Sequence, residues 1–131
     1  MSQTDKKLLL KDLCARLPYG VKVKLGDNPN IFDLQYRIKF AVMYGDSDKL
    51  EDILDITNIK PYLFPISSMT KEQKEEFNTK SLELQLKVID EEIMYEEATE
   101  FEVDFYNKHH LDWRGLIPKG LANDATGLNI Y

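Results

Sequence analysis

Cysteine is almost missing from this chain: Cys14 stands alone in 131 residues, which excludes a disulfide or a cluster of thiolate ligands within the sequence given. A reducing, intracellular setting fits that scarcity. Long apolar runs are missing too. The opening MSQTDKKLLLK places only three leucines together before the next charge, too few for a signal-peptide core or a membrane span, so a soluble cytoplasmic protein is expected. There is no basic excess either: 17 Lys and Arg face 23 Asp and Glu, a net charge of −6. Non-specific nucleic-acid binding runs on Lys and Arg neutralising phosphates, so direct binding to nucleic acid is not expected. The six glycines form neither GxGxxG nor a P-loop, and no HExxH occurs. Without a catalytic, cofactor or metal-ligand signature, the chain reads as non-enzymatic, with no cofactor.

With 43% apolar and 31% charged residues the composition is that of an ordinary globular protein. A chain of this length buries enough surface for one real core, so 1–131 is expected to be a single domain. Charge divides it unevenly. Residues 1–69 carry 10 Lys and Arg against 9 Asp and Glu, whereas residues 70–131 carry 7 against 14. Residues 90–104 alone hold eight carboxylates and no basic residue. The chain is thus organised as a near-neutral, sheet-containing half, 1–69, and a mainly helical acidic half, 70–131.

Residues 4–17 carry Leu8, Leu9, Leu13 and Leu17 at helical spacing, with Thr4 or Asp5 available as N-cap and Pro18 with Gly20 as the stop. Leu9, Leu13 and Leu17, joined by Leu10 and Cys14, are expected to form its core face. Val21, Val23 and Leu25 alternate with Lys22 and Lys24, a half-buried strand. Residues 34–44 alternate strictly through Leu34, Tyr36, Ile38, Phe40, Val42 and Tyr44, which predicts a long antiparallel strand. Residues 50–57 are read as a third strand, although Leu50, Ile53 and Leu54 also fit a helical turn. The expected fold is α+β: an N-terminal helix, a three-stranded antiparallel sheet as a meander or partial barrel, and a helical C-terminal half packed on it.

The junction lies at residues 59–77. Pro61 and Pro65 push their predecessors toward extended backbone, so Tyr62, Leu63 and Phe64 should form an extended apolar clasp. Thr70 followed by Gln73 reads as a capping box that starts a helix at Lys71. Farther on, Leu82, Leu84, Leu86 and Val88 alternate like a strand, yet their neighbours favour helix and Leu82, Leu86, Ile89 and Ile93 keep helical spacing; helix is preferred, with strand open. Residues 90–109 read as helix, with Met94, Ala98, Phe101 and Phe105 along one face.

Candidate functional residues cluster beyond that point. Glu92, Glu96, Glu100 and Asp104 fall at successive i, i+4 positions, where like charges repel by a few tenths of a kcal/mol per pair. Such a ladder serves as a solvated face or as an acidic surface aimed at a basic protein partner. Trp113 with Arg114 is a pairing enriched at binding hot spots, and the only Trp of a small domain is equally a core residue. Adjacent histidines on a helix point about 100° apart, so His109 and His110 cannot both hold one metal without distortion, even with Asp112 nearby. The competing expectation for the pair is a helix C-terminus. Asp112 is placed to cap a turn, and Gly115 and Gly120 allow positive φ.

Three segments, LCARLPYGV at 13–21, KPYLFPISSMT at 60–70 and HHLDWRGLIPKGLA at 109–122, resemble in order and spacing a family of small uncharacterised proteins of gut bacteria and their prophages. The resemblance implies association with mobile elements and a role as an accessory protein acting through macromolecular interaction. It carries no activity, cofactor or catalytic residue. The alternatives are an acidic nucleic-acid mimic that occupies a DNA-binding protein, and a small His/Asp metal-dependent enzyme built on His109, His110 and Asp112.

Overall fold

The sheet is built around the junction segment itself. In a computed structural model, which describes residues 1–38 and 56–131, strand β1 spans Lys22–Leu25, β2 Phe32–Asp33, β3 Ile59–Leu63 and β4 Asn123–Asp124. Helix α1 spans Gln3–Arg16, α2 Lys71–Ile89 and α3 Tyr95–Lys108. The strand order is β2-β1-β3-β4. β1 pairs antiparallel with β2 and with β3, and β4 joins β3 in parallel. The fold is therefore α+β, as expected, and among the described residues the sheet is mixed, four-stranded and open, where three antiparallel strands were expected.

Each strand follows from local chemistry. β1 puts Val23 at the centre of the core while Lys22 and Lys24 point to its edges. β3 buries alternate residues, Ile59, Pro61 and Leu63, as a period-two strand must. Phe64 continues the extended run as an isolated bridge to Leu111: its N–H donates to His110 O at 2.8 Å and its C=O accepts from Asp112 N–H at 2.8 Å. The expected clasp is thus an interior strand that grips the chain beyond α3. Ala125 N–H donates to Leu63 O at 2.8 Å and closes the same side.

The long strand expected at 34–44 is not found where it can be checked. Residues 34–38 are helical, and Asp33 Oδ1 accepts from Tyr36 N–H at 2.9 Å, which caps that turn. Leu34 and Ile38, four apart, both reach the core, so helical spacing satisfies the apolar positions that alternation suggested. Residues 39–44 and most of the third expected strand, 50–57, lie outside the described residues; Ile56–Asn58 form a 3₁₀ turn.

The N-cap of α1 is Ser2, whose hydroxyl accepts from Asp5 N–H at 3.0 Å, not Thr4 or Asp5. Its buried face is Leu9, Asp12, Leu13 and Arg16, and Cys14, expected in the core, is exposed. Cys14 lies two residues from both Asp12 and Arg16, about 200° around the helix, so burying that ion pair turns the thiol outward. The capping box of α2 forms as expected: Gln73 N–H donates to Thr70 Oγ1 at 3.1 Å and Thr70 N–H to Gln73 Oε1 at 3.0 Å. The stretch 82–88 is helix. Residues two apart on a helix point about 200° apart, so the leucine alternation makes two stripes: Leu84 and Val88 half-buried, Leu82 and Leu86 exposed.

α2 and α3 form an antiparallel hairpin held by rings. Phe77 stacks on Phe101 and Tyr106 at 6.0 and 5.3 Å between centroids and tilts against Phe105 at 5.2 Å. α3 begins at Tyr95, five residues later than expected, because Glu91 takes φ 60° and breaks the chain into a turn. The main core gathers Leu9 and Leu13 of α1, Val21, Val23, Leu34, Ile59, Leu63, and Leu116, Leu121 and Ala122 from the tail. The chain after α3 therefore returns to the sheet, and the helical hairpin is an excursion between two sheet-bound segments.

Candidate functional site

Two polar assemblies stand out, one interior and one on the hairpin. The interior one begins with the i, i+4 pair of α1. Asp12 and Arg16 are both fully buried; Arg16 Nε donates to Asp12 Oδ2 at 2.9 Å and Arg16 Nη2 to Leu111 O at 2.6 Å. Arg114 Nη1 donates to the other carboxylate oxygen at 2.8 Å, and its guanidinium lies 4.1 Å over the Trp113 ring. Trp113 Nε1 in turn donates to Oδ1 of buried Asn107 at 3.0 Å. Asp112, as expected, caps a turn by accepting from Leu116 and Ile117 N–H at 2.8 and 2.9 Å. Gly115 and Gly120 take φ 74° and 72°, which L side chains adopt at a cost. Trp113 and Arg114 are thus committed to each other and to α1, and the three resemblance segments, 13–21, 60–70 and 109–122, converge at this point.

The histidines diverge. His109 caps α3, tilts against Phe105 at 4.5 Å and places Nδ1 3.3 Å from Gln73 Nε2; burial lowers its pKa. His110 adopts φ 58° and stacks on Tyr131 at 3.6 Å and 14°. Burial, with the charge of Arg16 next and those of His109 and Lys22 behind it, brings the His110 pKa down to about 4. Tyr131 uses its hydroxyl as a bridge between strands, accepting from Lys22 N–H and donating to Tyr62 O, each at 2.8 Å. Burial pushes the pKa of that hydroxyl up to about 12. His109, His110 and Asp112 therefore serve three different neighbours. Among the described residues no group of three or more His, Cys, Asp or Glu is placed to hold a metal. A cavity of about 230 Å³ beside His109 is walled by Ser68, Thr70, Gln73 and Thr126, whose polar groups close local turns and caps.

The hairpin carries the second assembly. Glu96, Glu100 and Asp104 stand exposed along α3 at successive turns, whereas Glu92 lies in the α2–α3 turn and is no rung of the ladder. Glu100 and Asp104 border a groove of about 450 Å³ whose floor is Leu84, Phe101 and Phe105 and whose rim adds Tyr19, Glu76, Lys80, Glu97 and Lys108. Burial and the neighbouring Asp104 carboxylate, which accepts a hydrogen bond from it, raise the Tyr19 pKa. Tyr19, Glu76 and Glu97 escaped the sequence reading. Glu97 carried a signal, its place in the carboxylate run, but Tyr19 meets Asp104 only through tertiary packing. No ion pair at 4.0 Å or less holds Glu96, Glu100 or Asp104 among the described residues.

This arrangement offers an apolar floor with a surplus of carboxylates. No family model, curated protein or solved structure matches the chain. No helix among the described residues is long and apolar enough to cross a membrane.

Proposed function

We propose that the chain is a non-enzymatic accessory protein of phage or mobile-element origin that acts by binding another macromolecule, and that the α2–α3 hairpin is its binding element. The observation that carries this reading is the exposed row of Glu96, Glu100 and Asp104, none of them in an ion pair among the described residues, with Glu100 and Asp104 bordering an apolar-floored groove. Like charges at i, i+4 weaken a helix, so their local effect is unfavourable and their value lies in an external partner. The likeness to prophage proteins supports the accessory role. Affinity capture from a gut-bacterial lysate, with and without phage induction, tests it: a specific protein recovered by the wild type and lost by Glu96→Lys/Glu100→Lys/Asp104→Lys is expected. Recovery of nothing above background removes the reading.

The same row of carboxylates, one per helical turn, supports a second reading in which the hairpin mimics phosphate and occupies a DNA-binding protein. On that reading duplex DNA displaces the captured partner, and capture falls steeply with salt.

A further inference from the structure

α2 is apolar on two sides, and among the described residues only one of them is covered. Phe77, Leu84 and Val88 are half-buried toward α3, while Leu82, Leu86 and Ile89 are 59%, 52% and 74% exposed at i, i+4 and i+7. Met94 and Tyr95, at the end of the same hairpin, are 67% and 71% exposed. Single exposed apolar side chains are ordinary, but five large ones between residues 82 and 95 concentrate apolar surface on one hairpin, as interaction surfaces do. The spacing i, i+4, i+7 is that of helix-in-groove anchors, which span two turns, about 10 Å.

Charge decides what fits there. Residues 82–97 contain Glu83, Asp90, Glu91, Glu92, Glu96 and Glu97 against Lys87 alone, a local net charge of −5. A second copy of this chain brings the same sign to the same place and is repelled. A partner with basic flanks is attracted, both in encounter and in the complex. Resting on the interaction reading above, we infer that the outer stripe of α2 receives a cationic amphipathic helix of a partner protein, its apolar face on Leu82, Leu86 and Ile89 and its Lys or Arg flanks on the carboxylates of the hairpin turn.

The test uses the full chain and two helical probe peptides of about 18 residues, one of Leu and Lys and one of Leu and Glu in the same pattern. Fluorescence anisotropy should show micromolar binding of the Leu/Lys peptide, weakened about ten-fold or more by Leu82→Ser/Leu86→Ser, and none of the Leu/Glu peptide. Both positions are exposed, so the double variant should melt as the wild type does. Equal Leu/Lys binding by the double variant, or binding of both peptides alike, overturns the inference. Concentration-dependent dimerisation abolished by Leu82→Ser/Leu86→Ser also overturns it, in favour of a second copy. A lysate partner retained by the double variant removes this site and leaves the interaction reading standing; a wild type that captures nothing removes both.

Discussion

α1 and α2 are both leucine-bearing helices, yet they do opposite things with their side chains. α1, 14 residues long, buries Leu9, Asp12, Leu13 and Arg16; α2, 19 residues long, buries none. α1 is clamped along one face, by the core at Leu9 and Leu13 and by a polar network from Asp12 and Arg16 to Leu111 and Arg114. α2 is held along one edge by a cluster of rings and by contacts of Gln73 and Ser81, and most of its other side chains are exposed. The contrast separates where this molecule keeps its stability from where it presents a surface. Buried ion pairs are costly to form and more costly to break, so the α1 side commits the chain to one arrangement. The exposed faces of the hairpin, with little to lose from substitution, are free to carry charge and apolar surface for a partner.

The largest effect should come from breaking the network on the α1 side. Arg16→Met leaves Asp12 buried with only Arg114 as counter-charge and strips a donor from Leu111 O; about 3 to 5 kcal/mol of destabilisation is expected in urea unfolding. Next, Leu63→Ala, at a fully buried position of β3, should cost about 2 to 5 kcal/mol. Phe64→Ala should cost less, about 1 to 3 kcal/mol, since Phe64 is only half-buried. On the hairpin, Leu86→Ser and Glu100→Lys should each stay within about 0.5 kcal/mol by the same measurement.

A pH series sharpens the comparison further, because the titrating group lies on the sheet side. Folded His110 remains neutral down to about 4, whereas in the unfolded chain it titrates at its ordinary value of 6.5. Between those values the unfolded state binds the extra proton, so stability is full above about 6.5 and falls as pH drops toward about 4. His109, shifted in the same direction, adds to the slope. His110→Asn, which tolerates positive φ, should flatten that slope in thermal melts between pH 7 and 4.

Much of this division was legible in the sequence, and the gaps have physical causes. The charge asymmetry, the Thr70–Gln73 capping box and the extended run through Tyr62 and Leu63 depend on neighbours in sequence, and each appears as read. The alternation at 34–38 misled because Leu34 and Ile38 fit the core equally well at helical spacing, and the decider, the Asp33 cap, was a single residue. Asp12 and Arg16 look like a solvated helix pair until Arg114 and Leu111, about a hundred residues away, supply the partners that make burial possible. Cys14 was misplaced for the same reason. In the candidate site, Glu96, Glu100 and Asp104 were visible as a row, while Glu92 was lost to a turn set by the backbone at Glu91.

Native-state hydrogen exchange tests the separation most directly, because it reads the opening free energy of each segment in one molecule. Amides of β1 and β3 should exchange only through global unfolding, while those of residues 80–89 in α2 should open at a distinctly lower free energy, consistent with a helix that buries no side chain. Equal protection of α2 and β3 would contradict the account, for the hairpin would then be as much a part of the stable body as the sheet.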